Sequence, residues 1–337
     1  MRHLSVSLMT LAAVATILIG ACSQAIAAQP TSPPSAKVDF PAKGRAITVI
    51  VPYAAGGGTD VTTRLMARLM EKELGVPVQV VNRPGGGAQI GLTELARAKP
   101  DGYTIGATLI PTVVTTYLDP ERKAIYSRKD FQPLAIQYEA PFAVVVPTSS
   151  PYKTLKDLVD AAKASPGTIK MASTGLIGSG HLAILQFEEA AAIRFAVVHF
   201  DGGAPAMTAL LGGHVNASVN AVSSEILPHI KTGAIRILGV LGPEESRFLP
   251  GVKTAESQGY KAYMSVVGAL SAPAGIPREV TSILSAAAKK AIESDEHKKM
   301  MADSGFEARY RGPEEFATLW AESEVQLKPL VELAKRQ

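Results

Sequence analysis

The spacing of apolar positions changes twice in the first third of the chain, and this predicts two successive strand–loop–helix units. Residues 46–51 form a short apolar run, rich in β-branched side chains, that has the length of a strand. From Thr59 or Asp60 the period becomes helical, and the pattern predicts a buried face formed by Val61, Leu65, Leu69 and Leu74. A second strand is predicted over residues 76–81 and a second helix over residues 90–98.

The loop between strand and helix is a glycine cluster in both units, at residues 53–59 and 82–88. Glycine lets the backbone approach a ligand closely, and the free N–H groups at the start of the following helix favour a carboxylate or a phosphate. Because the carboxyl ends of parallel strands lie at one edge of a sheet, the two loops predict a pocket for a small anion. The candidate residues in this half of the pocket are Tyr53, Gly57, Gly58, Asp60, Gly86 and Gly87.

Nucleotide binding is disfavoured by the spacing within both loops. A dinucleotide fingerprint requires a third small residue where this chain has Val61 and Ile90, and the chain contains no Gly-Lys dipeptide of the kind that a phosphate-binding loop requires. The alternative is that both loops are only tight turns, although the placement of each one before a helix argues against it.

Further polar positions follow predicted strands later in the chain. Residues 104–109 form a third strand with Thr108 near its carboxyl end, and residues 141–147 contain a strand that we interpret as the crossing into a second lobe. A third polar, glycine-containing loop precedes a helix and offers the hydroxyls of Ser173, Thr174 and Ser179 to a carboxylate.

A serine hydrolase is an alternative at residues 178–181, Gly-Ser-Gly-His. The spacing does not fit a nucleophile elbow, because Ile177 stands where the first glycine is required. His181 is close in sequence to Ser179, so we predict that it makes a structural hydrogen bond in the first turn of the helix. A hydrolase would then need a distant base such as His199.

The amino-terminal segment predicts export from the cytoplasm. An apolar stretch follows Arg2, and two processing sites compete after it. The lipobox-like residues 18–22 would make Cys22 the lipidated first residue, so that the signal is residues 1–21. Cleavage after Ala27 would give a signal peptide of residues 1–27, followed by a disordered tether at residues 28–43.

Composition narrows the classes of function. Cys22 is the only cysteine, so the exported chain has no disulfide, and with 47% hydrophobic residues it must be stabilised by a large core. The net charge of +4 is too small to indicate nucleic-acid binding. The six histidines have no metal-ligand spacing. We therefore expect no metal, no cofactor and no catalytic residues. We also expect a monomer.

Three sequence blocks resemble those of the Bug-type solute-binding proteins, the extracytoplasmic receptors of tripartite tricarboxylate transporters. They are Pro-Tyr-x-x-Gly-Gly-x-x-Asp at 52–60, Asn-Arg-Pro-Gly-Gly-Gly-Ala-x-Ile-Gly at 82–91 and Ala-Lys-Pro-Asp-Gly-Tyr-Thr at 98–104. The resemblance extends over about residues 44–333.

The resemblance implies a type II periplasmic-binding-protein fold, in which two α/β lobes are joined by two crossing strands with a ligand cleft between them. Lobe 1 would comprise residues 44–141 and 266–337, and lobe 2 residues 142–265. It also implies a periplasmic receptor that takes a small carboxylate to membrane transporter subunits. Apart from these subunits, we expect contact with the membrane only if the lipobox-like residues place a lipid on Cys22. A receptor for a sensor kinase is the nearest alternative.

The sequence departs from the family at two places in the predicted cleft. Phe200 and Asp201 stand where relatives have a tyrosine and a cation, so Asp201 would either repel a second carboxylate or attract an amine, or else cap the next helix outside the cleft. Asn216 and Asn220 replace two acids. The amide of Asn220 suits a neutral polar group, which argues against an amino-acid ligand.

Overall fold

The computed structural model describes residues 39–200 and 203–336. The predicted signal peptide, Cys22, most of the predicted tether and Asp201 lie outside these residues. Within them, no helix has the length and the apolar character needed to cross a membrane.

Strands and helices alternate along most of the chain. The strands are β1 (Ile47–Val51), β2 (Val78–Asn82), β3 (Thr104–Ile110), β4 (Phe131–Pro147), β5 (Lys170–Ser173), β6 (Ala196–His199), β7 (Ala217–Ala221), β8 (Ile235–Leu241), β9 (Ser265–Pro273) and β10 (Glu307–Arg311). The helices are α1 (Gly58–Leu74), α2 (Gln89–Ala96), α3 (Thr112–Leu118), α4 (Leu155–Ala164), α5 (Ser179–Ala191), α6 (Gly203–Leu211), α7 (Leu227–Lys231), α8 (Arg278–Glu293), α9 (Asp295–Asp303) and α10 (Pro313–Ala334).

The strands form two lobes that share β4. In the first lobe the order is β2-β1-β3-β9-β4, with β10 also paired to β4. In the second lobe the order is β4-β7-β5-β6, with β8 also paired to β4. Strands β1, β2 and β3 are parallel to one another, as are β5, β6 and β7. The two-lobed α/β architecture expected from the sequence is therefore confirmed.

The partners of β4 change within two residues. Pro141 is the last residue of β4 paired with β9, opposite Ser265, and Phe142 is already paired with Ala221 at the end of β7. In the first lobe, the end of β3 at Ile110 lies opposite Val267, near the start of β9. Because the strands within each parallel set end at one edge, the carboxyl edges of both sheets face each other where β4 crosses. This arrangement creates a cleft between the lobes.

The core is built on both faces of these sheets. One helix face of α1, with Leu65, Met66, Leu69 and Met70 buried, packs beside α8 in the first lobe. Val61 departs from the predicted face, since 47% of its surface is exposed. In α10 the indole of Trp320 is fully buried and stacks between Phe131 and Phe316, at centroid distances of 5.6 and 5.2 Å. This stack fixes the last helix to the first lobe.

The start of the described chain is held against the first lobe. The ring of Phe40 packs edge-to-face on Tyr103 at 5.0 Å, and the backbone N–H of Ala42 donates to the Tyr103 hydroxyl at 2.7 Å. Residues 39–43, which the sequence places in the tether, therefore make defined contacts with the folded domain.

Candidate functional site

The loop between β1 and α1 is organised by the buried carboxylate of Asp60, which is 2% exposed. Its oxygens accept hydrogen bonds from the backbone N–H of Gly56 at 2.8 Å, from Nδ2 of Asn82 at 2.9 Å and from Nε of Arg64 at 3.0 Å. Burial alone would raise the pKa of Asp60, but these hydrogen bonds and the guanidinium charge outweigh it and hold the pKa below its usual value. With its oxygens engaged by protein donors, Asp60 is suited to position the loop.

The loop presents the amino end of α1 to the cleft. Gly57 is the N-cap and Gly58 the first helical residue, and no side chain caps this end. The free N–H groups of the first turn and the helix dipole therefore make a site that favours a carboxylate.

The second glycine loop lies at the same edge, before α2. Gly86 and Gly87 have φ angles of +59° and +60°, which glycine adopts without strain. A Cβ at Gly87 would lie 2.7 Å from Nη1 of Arg122, and the same Nη1 donates to the carbonyl of Gly86 at 3.3 Å. Arg122 thus packs closely against this loop, and a side chain at position 87 would displace the end of the arginine.

Tyr53 and Thr108 are turned toward the protein interior. The hydroxyl of Tyr53 bonds to the Thr112 side chain at the start of α3, and burial raises the pKa of the phenol. Thr108 is fully buried, and its Oγ1 lies 2.9 Å from Oγ of Ser271. These contacts suit Tyr53 to hold the first loop in place and Thr108 to join β3 to β9, and the neighbouring Leu109 lines the cleft instead.

In the second lobe, the loop between β5 and α5 is strained. Ile177 has a φ of +55°, which is rare for a β-branched residue and costs free energy. Its backbone N–H donates to Nδ1 of the buried His181 at 3.2 Å, which confirms the predicted structural hydrogen bond. The strained loop leads into Ser179, the first residue of α5, whose amino end also has no side-chain cap.

The remaining candidates of the second lobe surround this loop. Thr174 packs under the first turn of α5, where a Cβ at Gly180 would meet its Oγ1 at 2.5 Å. The backbone N–H of Phe200 donates to the carbonyl of Ser173 at 3.0 Å, while its ring packs on the core of the lobe. Asn220 lies in β7, at the same carboxyl edge, and 1% of its surface is exposed.

The histidine of the hydrolase alternative pairs with a different serine. Oγ of Ser173 lies 2.7 Å from Nδ1 of His199, whereas Ser179 makes no such contact within residues 39–200 and 203–336. Ser173 is fully buried, so its hydroxyl is closed to a substrate. In the part of the chain that the structure describes, no carboxylate bonds to His199 to complete a triad. This arrangement does not support the hydrolase.

A cavity of about 420 Å³ lies between the lobes at the crossing. Its lining comes from the β1–α1 loop and α1, from the loop after β7, from the crossing strands and from the turn before β10: Gly56, Gly58, Thr59, Val61, Thr62, Leu109, Tyr138, Ala221, Ser223, Ser224, Glu225, Val266, Ser304 and Phe306. Of the candidates predicted from the sequence, Gly58 lines this cavity directly. The loop residues Ser223, Ser224 and Glu225 could have been found by the rule that located the others, because they follow the carboxyl end of β7.

Tyr138 places a neutral hydroxyl on the cavity wall. Burial raises the pKa of Tyr138, and hydrogen bonds with the side chains of Thr59 and Thr62 lower it in part, so that the resulting pKa is about 12. Its ring stacks on Phe306 at a centroid distance of 4.5 Å. Phe306 and Ser304 were not found from the sequence because only the pairing of β10 with β4 brings them here.

The two lobes also touch at one side of the cavity. The backbone N–H of Ser224 donates to the carbonyl of Ser304 at 2.8 Å. A Cβ at the intervening Gly305, whose φ is +79°, would lie 2.6 Å from Cδ1 of Leu227. The lobes are therefore in close contact at Gly305, where a Cβ would also lie 3.1 Å from the backbone of Ser223.

Comparison with known proteins identifies the family to which this architecture belongs. The model of the tripartite tricarboxylate transporter family receptor, TctC, matches residues 62–335. The chain is similar to the protein BugT of Bordetella pertussis, with 30% identity over 74% of this chain and 77% of BugT.

Two solved structures share the fold and extend the similarity. One is a TctC solute-binding protein from Polaromonas, with a TM-score of 0.77 and 27% identity over 87% of this chain and 99% of that one. The other is MatC from Rhodopseudomonas palustris with bound malate, with a TM-score of 0.73 and 27% identity over 87% of this chain and 100% of that one. Two lobes that meet at the carboxyl edges of their sheets, with a sequence match over most of both lobes, place this chain in the tripartite tricarboxylate transporter receptor family, among the Bug-type solute-binding proteins.

Proposed function

We propose that this protein is a periplasmic receptor that binds a small carboxylate between its lobes and presents it to the membrane subunits of a tripartite tricarboxylate transporter. The observation that carries the proposal is the pair of uncapped helix amino ends, at α1 in the first lobe and α5 in the second, at the two sheet edges that face each other. Each end offers N–H donors and a positive dipole to an anion.

Binding would act by holding the lobes together. A ligand that contacts both loops has more partners in the closed form than in the open form, so it shifts the equilibrium toward closure. We place the hinge at the crossing, with residues 44–141 and 266–337 moving as one lobe and residues 142–265 as the other. The change of strand partners at Pro141 and Phe142 supports this position.

Export and anchoring are parts of the same proposal. A receptor in the periplasm needs the predicted signal, either residues 1–27 or residues 1–21 with a lipid on Cys22. The receptor would act as a monomer and release its ligand unchanged. The contacts of Ser173 support binding without turnover, because its hydroxyl is buried against His199.

The first experiment is a thermal-shift and calorimetric screen of the purified protein against mono-, di- and tricarboxylates, with malate included because MatC holds it. A ligand at 100 times its Kd should add about 2.7 kcal/mol to the free energy of unfolding and raise the Tm. NMR of the recovered ligand should show no chemical change. Failure of every carboxylate to bind, or conversion of a bound one, would contradict the proposal.

A further inference from the structure

The cavity between the lobes has apolar side chains on more than one side. The apolar residues that line it include Val61 of α1, Leu109 of β3, Ala221 of β7, Val266 of β9 and Phe306 just before β10. Each of these side chains keeps part of its surface exposed. Because they come from five separate segments and from both lobes, the apolar surface is not confined to one wall.

Val61 is the most exposed of these side chains. It has 47% of its surface exposed, whereas Leu65 and Leu69, which share its predicted face of α1, have 6% and 7%. Val61 lies in the first turn of α1, next to the backbone N–H groups that favour a carboxylate. An apolar contact and a carboxylate site therefore lie side by side at one helix end.

An aromatic pair adds to the apolar surface of the cavity. The rings of Tyr138 and Phe306 lie nearly parallel, with an interplanar angle of 7° and a centroid distance of 4.5 Å. The Tyr138 hydroxyl is engaged by the side chains of Thr59 and Thr62, and the phenol stays neutral because its pKa is about 12. The pair therefore contributes contact area without charge.

The cavity provides positive potential for one carboxylate only. Among the described residues that line it there is no lysine, arginine or histidine. The uncapped end of α1 can hold one carboxylate, whose second oxygen remains free to accept from the amino end of α5 when the lobes close.

A second carboxylate would find a poor environment here. It would meet the hydroxyls of Ser223 and Ser224 and the exposed carboxylate of Glu225. Neutral hydroxyls only partly offset the cost of removing a negative charge from water, and a like charge adds to it. An apolar group at this end of the ligand has no such cost and gains contact with the exposed apolar side chains.

We infer that the ligand of this receptor is a monocarboxylic acid with an apolar body, and that Val61 is one of the residues that select it. The carboxylate binds at the amino end of α1, and the aliphatic chain or ring lies against Val61 and the Tyr138–Phe306 pair. This inference deepens the proposed function and rests on it, because it names the class of carboxylate that the same cavity takes.

The test compares acids that share a carbon skeleton and differ by one carboxylate: hexanoate with adipate, and benzoate with terephthalate. Calorimetry on the purified protein should show that at least one monoacid binds tenfold or more tightly than its diacid. Tighter or equal binding of the diacid in both pairs, or binding of malate but of neither monoacid, would overturn the inference and leave the receptor function intact. If no acid of any class binds, or if a bound acid is chemically altered, the proposed function itself fails.

A substitution tests the role of Val61. Val61→Thr keeps the shape of the side chain and replaces one methyl group by a hydroxyl, so the preferred monoacid should bind about fivefold more weakly while its diacid changes less. The matched control is Val325→Thr, an exposed valine of α10 outside this cavity, which should change neither affinity. Because both valines are exposed, the Tm of the free protein should be unaltered in both variants.

Two results would remove Val61 from the inference. An equal loss of affinity for the monoacid and the diacid would mean that Val61 acts on closure of the lobes and not on the choice of ligand. Unchanged affinities for both would mean that it does not contact the ligand.

Discussion

The backbone N–H of Ile177 donates a hydrogen bond to Nδ1 of His181, in the first turn of helix α5, while Ile177 itself has a left-handed φ of +55°. The acceptor nitrogen must be unprotonated, so His181 is held as a neutral imidazole with its proton on Nε2. A strained loop and a buried histidine therefore form one unit at the amino end of α5, where the second lobe would hold a carboxylate.

Replacement His181→Leu should relax this loop. The N–H of Ile177 loses its acceptor inside the protein, which costs about 1–3 kcal/mol of unfolding free energy, and the loop no longer presents the amino end of α5 in a fixed geometry. Urea unfolding and calorimetry with the best ligand of the screen measure the two effects. Unaltered stability and affinity would show that the hydrogen bond has no role.

The stability of the protein and its affinity for the ligand should also depend on the carboxylate of Asp60. Asp60→Asn leaves the shape unchanged but places an NH₂ group among donors from Gly56, Arg64 and Asn82, so we expect a loss of about 1–3 kcal/mol and weaker ligand binding. Asp160→Asn, on the exposed surface of α4, is the control and should leave both quantities unchanged. If the two variants behave alike, Asp60 does not position the loop.

Gly305 offers a way to alter the distance between the lobes without touching the ligand. In Gly305→Ala the new methyl group would press on Leu227 and on the backbone of Ser223, so the lobes should be held slightly apart and affinity should fall. Gly251→Ala is a matched control, because its φ is also +79° but nothing lies within 4 Å of the added Cβ.

Both variants carry the same backbone strain, which costs about 1–3 kcal/mol of stability. Only Gly305→Ala should weaken ligand binding and increase the radius of gyration of the ligand-bound protein in small-angle scattering. Equal affinities in the two variants would show that this contact does not limit closure.

Acid should destabilise the protein through His297. Its imidazole is fully buried, and loss of hydration lowers its pKa from 6.5 to about 4. Between these pH values the unfolded chain binds a proton that the folded chain does not, so the free energy of unfolding falls as the pH is lowered through this window, by up to about 3 kcal/mol.

The substitution His297→Leu removes this titrating group. The free energy of unfolding should then fall less steeply as the pH is lowered from 6.5 to 4. Chemical denaturation at a series of pH values measures it. His229→Leu, which removes a partly exposed imidazole from α7, is the control and should retain the slope between pH 6.5 and 4. A slope that survives in His297→Leu would assign the acid sensitivity to other groups.

The sequence predicted the elements of the cleft well, because local signals determine them. A β-branched run, a glycine cluster and a helical period fix where a strand ends and a helix begins, and the edge rule then brings the loops together. The direction of a side chain is harder to predict from the sequence. Thr108 was predicted at the rim, but whether its hydroxyl meets a ligand or Ser271 depends on β9, which follows more than 150 residues later.

Residues contributed by distant pairing were missed for the same physical reason. Val61 fits the apolar face of α1 by spacing, yet it lies on the cavity because the neighbouring lobe determines which part of that helix is covered. Phe306 reaches the cavity only through the pairing of β10 with β4 and its stacking on Tyr138. Glu225 follows a strand end like the predicted residues, and it went unnoticed because no glycine marks its loop.

The continuity of β4 has a consequence for which ligands this protein can choose. A strand does not stretch, and one strand with ladder partners in both sheets prevents the lobes from sliding past each other along its direction. The remaining freedom is bending and twisting around Pro141 and Phe142. In the proposed closure, the two facing sheet edges would therefore approach each other by rotation around these residues. The length of a ligand, and not its charge alone, would then decide whether it can contact both edges.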